Sequence, residues 1–194
     1  MEFIDGTSLE DLIRGKRKLP LDDVIHLVEK VGDALDTAHR KGVVHRDIKP
    51  ANILLDQEGR PYLVDFGIAR ISTSTMTQTN MIMGTVEYMA PEQRDNLKKV
   101  DHRADIYSLG LVLYEMLTGQ LPVGRFDLPS KRLQIDVRID DVVLKALEQD
   151  PGRRYQRASH MGTDVSKVGT TAAVPPPPTG EACRAEVRIE MPAV

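Results

Sequence analysis

The stretch His45-Arg46-Asp47-Ile48-Lys49-Pro50-Ala51-Asn52, followed by Asp65-Phe66-Gly67, holds residue types whose spacing suits one reaction. Asp47 is a carboxylate able to accept the proton of an incoming hydroxyl. Lys49, two positions on, can reach a transferring phosphate as a point charge. Asn52 offers a neutral oxygen and Asp65 a charged one. Together with phosphate oxygens and water they make the oxygen-only, partly protein-filled shell that magnesium prefers. Gly67 lets the backbone turn so that the acid can face a metal. The implied chemistry is movement of a phosphoryl group from a magnesium-bound nucleotide to a hydroxyl, which asks of the protein mainly positioning and charge neutralisation. Singly, each residue has a plainer role: a loop Asp or Asn is usually a turn former or a helix cap. His45 is read in that plainer way, as a packed residue that orients the loop. The fixed offsets of the whole set carry the specificity.

The elements that must position these residues are legible in outline. Residues 21–41 read as a long amphipathic helix, with Val24, Val28, Val31, Leu35 and Ala38 on one face and Asp22, Asp23, Glu29, Lys30 and Arg40 towards water. Pro20 precedes it, the acidic pair suits its first turn, and Gly42 marks its end. Ile53–Leu55 and Tyr62–Val64 read as two short strands joined by a turn over 56–60. A second helix over about 104–118 is apolar on most faces and is expected at the centre of the core, stopped by Gly119. A further helix is expected from Asp140 to about Glu148, with Val142, Val143, Ala146 and Leu147 inward. Residues 120–139 read as short and irregular.

Composition narrows the class. The chain has 194 residues, 41% hydrophobic and 28% charged, with net charge −3. That is enough for one domain with a sizeable core, and the sign gives no electrostatic footprint for nucleic acid. The single Cys183 rules out an internal disulfide and a multi-cysteine zinc site. The longest apolar stretch is too short to span a bilayer and no signal peptide is evident, so a cytoplasmic protein is expected. Past residue 167 the composition changes. Residues 168–194, with Pro175-Pro176-Pro177-Pro178, read as a proline-rich flexible tail after a domain over 1–167.

The sequence resembles the C-terminal lobe of a eukaryotic-type (Hanks-type) bacterial serine/threonine protein kinase over residues 1 to about 167. The resemblance implies an α+β, kinase-like fold: a mainly helical lobe with short β-hairpins carrying the catalytic and metal-binding loops. It assigns Asp47 as catalytic base in an H-R-D-x-x-x-x-N loop, Lys49 as its partner, and Asn52 and Asp65 as magnesium ligands. ATP and Mg2+ follow as cofactors, and a protein Ser/Thr hydroxyl as acceptor. Met89-Ala90-Pro91-Glu92 matches the A-P-E element, and Glu92 is expected to form a buried ion pair with Arg154. Asp105 resembles the buried acid that steadies the catalytic-loop backbone. Thr85 falls where family members select Ser/Thr acceptors. Between Asp65 and Glu92, Thr77 and Thr79 are expected to be phosphorylated and Arg46 to pair with the loop phosphate.

The chain opens at Met1-Glu2-Phe3-Ile4-Asp5-Gly6, which resembles the hinge between the two kinase lobes. On that reading Glu2 and Ile4 bind the adenine edge, Ser8 lies near the ribose and Leu54 forms the adenine floor. No glycine-rich loop and no strand lysine are found, so the N-lobe is missing from this sequence. The chain alone is expected to phosphorylate weakly or not at all, with an apolar hinge side open to a partner or to an N-lobe. Two other readings stand beside the enzyme. One is an inactive kinase-like fragment acting as a binding or regulatory module. The other is a small-molecule phosphotransferase, against which the Lys49 loop and the Glu92/Arg154 pair count.

Overall fold

The computed structural model describes residues 4–16, 19–66, 86–95, 100–122, 124–133, 135–169 and 188–189. Glu2, Gly67, Thr77, Thr79, Thr85 and the four-proline run lie outside them. The order begins with strand β1 (Gly6–Ser8), helix α1 (Leu9–Lys16) and the long helix α2 (Leu21–Arg40). A 3-10 turn (Pro50–Asn52) then leads into strands β2 (Ile53–Asp56) and β3 (Pro61–Leu63). A second 3-10 turn (Val86–Tyr88) and α3 (Pro91–Asp95) precede the central helix α4 (Arg103–Thr118). Strand β4 (Gly124–Arg125), α5 (Pro129–Leu133), α6 (Arg138–Ala146), α7 (Ala158–Gly169) and β5 (Arg188–Ile189) complete the chain.

Helix α4 is buried on every face from Ala104 to Tyr114, its polar Asp105 and Ser108 included, as its mostly apolar composition requires. Helix α2 buries the Val24, Val28, Val31, Leu35 stripe and ends in a paired C-terminal motif. Gly42 N donates to His39 O at 2.9 Å and Val43 N to Ala38 O at 3.0 Å, with Gly42 at φ 73°. Helices α2 and α7 approach closely because each has a glycine at the contact. A Cβ on Gly32 would lie 2.9 Å from Ala158 O, and one on Gly162 3.0 Å from Glu29 Cα. Asp36 of α2 then caps α7 from outside it, accepting from Ala158 N at 2.9 Å and from the Ser159 hydroxyl at 2.5 Å.

The sheet order is β1-β2-β3, antiparallel throughout, with Ser8 opposite Leu54 and Leu54 opposite Tyr62. β2 alternates, with Ile53 and Leu55 buried and Leu54 and Asp56 on the other face.

Several boundaries differ from expectation. β3 begins at Pro61 and ends at Leu63, one residue early, because Val64 N turns to Asn52 O instead of continuing the ladder. α6 begins at Arg138 and ends at Ala146, two residues early at each end. Asp136 holds its start, accepting from Arg138 N at 2.9 Å. Glu29 is half-buried rather than turned to water, since it accepts the Ser166 hydroxyl. The domain runs past 167, because α7 extends to Gly169 and Val168 is buried. Arg188–Ile189 pairs with Gly124–Arg125. Among the described residues the exposed large hydrophobics are Val43, Tyr62 and Val137, from three separate places.

Candidate active site

Asp105, in the first turn of α4, is the fixed point from which the site is built. Its carboxylate is 1% exposed and accepts His45 N at 2.9 Å, Arg46 N at 2.7 Å and His39 Nε2 at 2.8 Å. Three donors on one buried acid compensate its desolvation and fix the entry to the loop. Arg46 is held at φ 65°, a left-handed conformation that a non-glycine residue adopts only under such constraint.

From there the chain folds back on itself. His45, fully buried, can only donate from Nε2 to the Val64 carbonyl at 3.0 Å, which leaves Nδ1 to accept Asp47 N at 3.3 Å. Its ring also packs on Phe66, centroids 4.5 Å apart. His45 thus joins the loop to the end of β3 by two bonds and a ring contact. The backbone bond from Val64 N to Asn52 O, 3.0 Å, draws the end of β3 onto the 3-10 turn and sets Asp65 close to Asn52 in the fold. Asp65 follows at φ 57° with its side chain exposed.

Around Asp47 the contacts are specific. Oδ2 accepts Lys49 Nζ at 3.0 Å and Asn52 Nδ2 at 3.1 Å, and the other Asn52 amide hydrogen goes to Asp47 O at 2.8 Å. Asp47 Oδ1 is left without a donor among the described residues. So is Asn52 Oδ1. The two oxygens that a substrate hydroxyl and a metal would need are therefore open. Among the described residues no three His, Cys, Asp or Glu side chains converge into a protein cage. A shell of one amide oxygen, one carboxylate, phosphate oxygens and water fits magnesium, which keeps much of its coordination outside the protein.

The strand pairing places Ser8 beside Leu54, with Leu54 half-buried at the middle of the sheet. Ser8 also caps α1, its hydroxyl accepting Asp11 N at 3.1 Å and donating to Asp11 Oδ2 at 2.6 Å. Ile4 is half-buried just ahead of β1.

Behind the loop, Arg154 and Glu92 form the expected ion pair, 2.7 and 2.8 Å. Arg154 further donates to the carbonyls of Glu148, Arg103 and Gln149, so all five guanidinium hydrogens are used. The guanidinium carbon sits 4.8 Å from the Tyr107 ring centroid.

Sequence reasoning missed three supports. His39 is the third donor to Asp105, and only its contact across 66 residues reveals it. Gln93 accepts Ala90 N at 3.0 Å and donates to Arg46 O at 2.9 Å, tying the A-P-E element to the loop. Tyr88 donates to Glu115 at 2.5 Å, while Ser108 donates to Tyr88 O at 2.7 Å, so α4 also anchors the end of the segment before Pro91. Burial raises the Glu115 carboxyl above its ordinary range even though the Tyr88 bond lowers it, and burial with that same bond pushes the Tyr88 phenol up.

The family model described as "Protein kinase domain" matches residues 1–165. The chain is 41% identical over 185 residues to serine/threonine-protein kinase PknB of Mycobacterium leprae, and 38% identical over 186 residues to PknB of Mycolicibacterium smegmatis. Each alignment covers 87% of this chain and 30% of the relative, so the chain spans under a third of their length. The crystal structure of the Mycobacterium tuberculosis PknI kinase domain superposes with a TM-score of 0.70 at 29% identity, covering 86% of this chain and 64% of that one.

Proposed function

The chain belongs to the protein kinase domain family, and from that premise we propose that it is the catalytic lobe of a serine/threonine protein kinase. In the whole protein that carries this lobe, the γ-phosphoryl group of ATP passes to Ser/Thr hydroxyls of a protein substrate, while the chain alone is expected to phosphorylate weakly or not at all. The observation that carries this reading is the environment of Asp47. One carboxylate oxygen is pinned by Lys49 and Asn52, and the other is left open towards an acceptor.

Asp47 Oδ1 receives the hydroxyl proton as the acceptor oxygen attacks. Lys49 keeps its contact with Asp47 Oδ2 and extends its charge towards the phosphate. Asn52 Oδ1 and the Asp65 carboxylate would hold magnesium, which when bound neutralises charge on the phosphate oxygens. Leu54 offers the apolar floor for the adenine, with Ser8 next to it towards the ribose and Glu2 and Ile4 at the adenine edge. Thr85 selects the Ser/Thr acceptor. Arg46 receives a phosphate on Thr77 or Thr79; its Nε is buried without a hydrogen-bond partner among the described residues, as a group awaiting an anion would be. We extend the domain expected over 1–167 to the end of α7 at Gly169, with the rest a tail. Among the described residues no helix is long and apolar enough to cross a membrane, and we place the lobe in the cytoplasm, where ATP is available.

The test is phosphoryl transfer from γ-labelled ATP to a protein acceptor by the protein carrying these residues, followed by acid hydrolysis. Label on serine and threonine is expected. Label on tyrosine alone, or none in the presence of magnesium, would refute the proposal.

A further inference from the structure

The connection between α4 and α5 carries a strand whose partner comes from beyond the last helix. Gly124–Arg125 pairs antiparallel with Arg188–Ile189, Gly124 opposite Ile189 and Arg125 opposite Arg188. The two form a sheet of their own, with no third strand among the described residues. Helix α7 ends at Gly169, and the proline-rich residues 170–187 link it to the second strand.

Helix α4 holds the first strand from both sides. Ahead of it, Gly119 turns the chain at φ 73°, Thr118 Oγ1 accepts Gln120 N at 3.3 Å, and Pro122 is buried. Behind it, the Tyr114 hydroxyl donates to Asp127 O at 2.8 Å, and the Tyr114 ring meets Phe126 edge-on, centroids 5.2 Å apart. Gly124 itself stands at φ 61°, a left-handed conformation that bends a strand and favours glycine. A Cβ there would meet nothing within 4 Å, so the bend and not crowding asks for glycine, and the space over it is open. Apart from the ladder to Arg188 and Ile189, Gly124 and Arg125 have no backbone partner among the described residues. The fold thus presents a short, fixed strand edge, and such an edge is a template for an extended chain.

The plain reading is that β5 is the last element of the fold. A permanent terminal strand is secured by a longer ladder, whereas an isolated two-stranded ribbon is marginal by itself. What favours closure here is the tether. Residues 170–187 keep the tail's effective concentration at the edge in the millimolar range. A strand held in this way is seated by proximity and released by a competitor.

We propose that Gly124–Arg125 is a strand-accepting docking edge, occupied and masked in cis by the chain's own Arg188–Ile189. Recognition runs through main-chain hydrogen bonds, so a competing segment must be extended and free of proline at the paired positions. Tail release and binding of that segment are then one equilibrium. The edge is carried by the helix whose Glu115 accepts the Tyr88 hydroxyl, so whatever docks there is tied to the element that anchors the chain before Pro91.

The test combines amide hydrogen exchange of the full chain with fluorescence anisotropy of a labelled peptide that has the sequence of residues 184–194. Ile189→Pro disrupts the tail strand, by a lost N–H and a fixed φ, without touching the lobe. Exchange at Gly124–Arg125 should speed up in this variant. The peptide should bind it saturably, and about tenfold or more tighter than it binds the unsubstituted chain, whose own tail fills the edge. A peptide carrying the same proline should not bind. Arg125→Pro with Ile189→Pro, checked for folding by circular dichroism, should lose the site. Equal affinity for the two proteins, or no saturable binding to Ile189→Pro, would overturn the proposal, as would exchange at Gly124–Arg125 indifferent to Ile189→Pro. Concentration-dependent dimerisation lost in Ile189→Pro would overturn it in favour of a tail seated on a second copy. Neither measurement involves phosphoryl transfer, so the outcome is independent of the kinase reading.

Discussion

Asp105 Oδ1 accepts the backbone N–H of Arg46 at 2.7 Å, and that bond holds Arg46 in a left-handed conformation at φ 65°. The central helix thereby sets the backbone immediately before the candidate base. Asp105→Ala removes a buried acceptor of three donors and leaves them unsatisfied. It should cost about 3–5 kcal/mol of unfolding free energy by urea denaturation. A loss below about 1 kcal/mol would mean that the loop is held by something else.

His39 should behave as a support rather than a reactant. Its Nε2 bonds Asp105 and its Nδ1 is buried without a partner. His39→Gln retains a donor towards Asp105, whereas His39→Leu does not. Leu should therefore cost about 1–3 kcal/mol more than the bond-keeping variant, read from thermal and urea midpoints. Equal costs for the two would show that volume, and not the bond, is what His39 supplies.

The Glu92–Arg154 pair is closed by five donors on a side chain whose own exposure is 0%. Arg154→Lys keeps the charge but not the planar fork. It should still lose about 3–5 kcal/mol, nearly as much as Arg154→Ala. A double-mutant cycle with Glu92→Ala should give a coupling of about 1 kcal/mol or more. Additive losses would contradict the pairing.

Glu115 should contribute a fall in stability as pH rises through the acid-to-neutral range. Burial raises its carboxyl above the ordinary value of 4.5, so the folded state binds that proton more tightly than the unfolded state. Its contribution is complete below the unfolded pKa and is lost as pH rises through the raised folded value. Glu115→Gln keeps an acceptor for the Tyr88 hydroxyl and removes the titration. The difference between the urea midpoints of the two proteins should therefore change across that window. Parallel curves would contradict the assignment.

Gly6 is a tighter constraint than its place in a short strand suggests. A Cβ there would lie 2.0 Å from Leu55 O, inside the β1–β2 ladder. Gly6→Ala should destabilise by about 1–3 kcal/mol and speed amide exchange at Ser8 and Leu54. Unchanged exchange at both would refute the close approach.

What was legible in the sequence was what depends on spacing. Asp47, Lys49 and Asn52 sit on one loop, so their offsets alone bring them together, and the 3.6-residue period of α2 and α4 survives in the pattern of Val28, Val31, Leu35 and of Ile106 to Leu117. Helix α7 was not legible. Its Ala-Ser-His-Met-Gly-Thr start is poor in helix formers, and it exists because Gly162 and Ala158 press on α2 and Asp36 caps it. His39 and Gln93 were missed for a related reason: their meaning lies in partners distant in sequence, Asp105 and Arg46, which no local pattern encodes. Thr77, Thr79 and Thr85 stay as sequence-based expectations, outside the described residues.

The central claim is that Asp47 acts on the acceptor proton while Asn52 and Lys49 hold it in place. Its most direct measurement is steady-state phosphoryl transfer by Asp47→Asn in the protein carrying this lobe, with ATP binding followed alongside. The account predicts a fall of about 10²–10⁴-fold in kcat with ATP affinity nearly unchanged and the fold intact. Turnover within about twofold of the unsubstituted protein, against that expected loss, would contradict it.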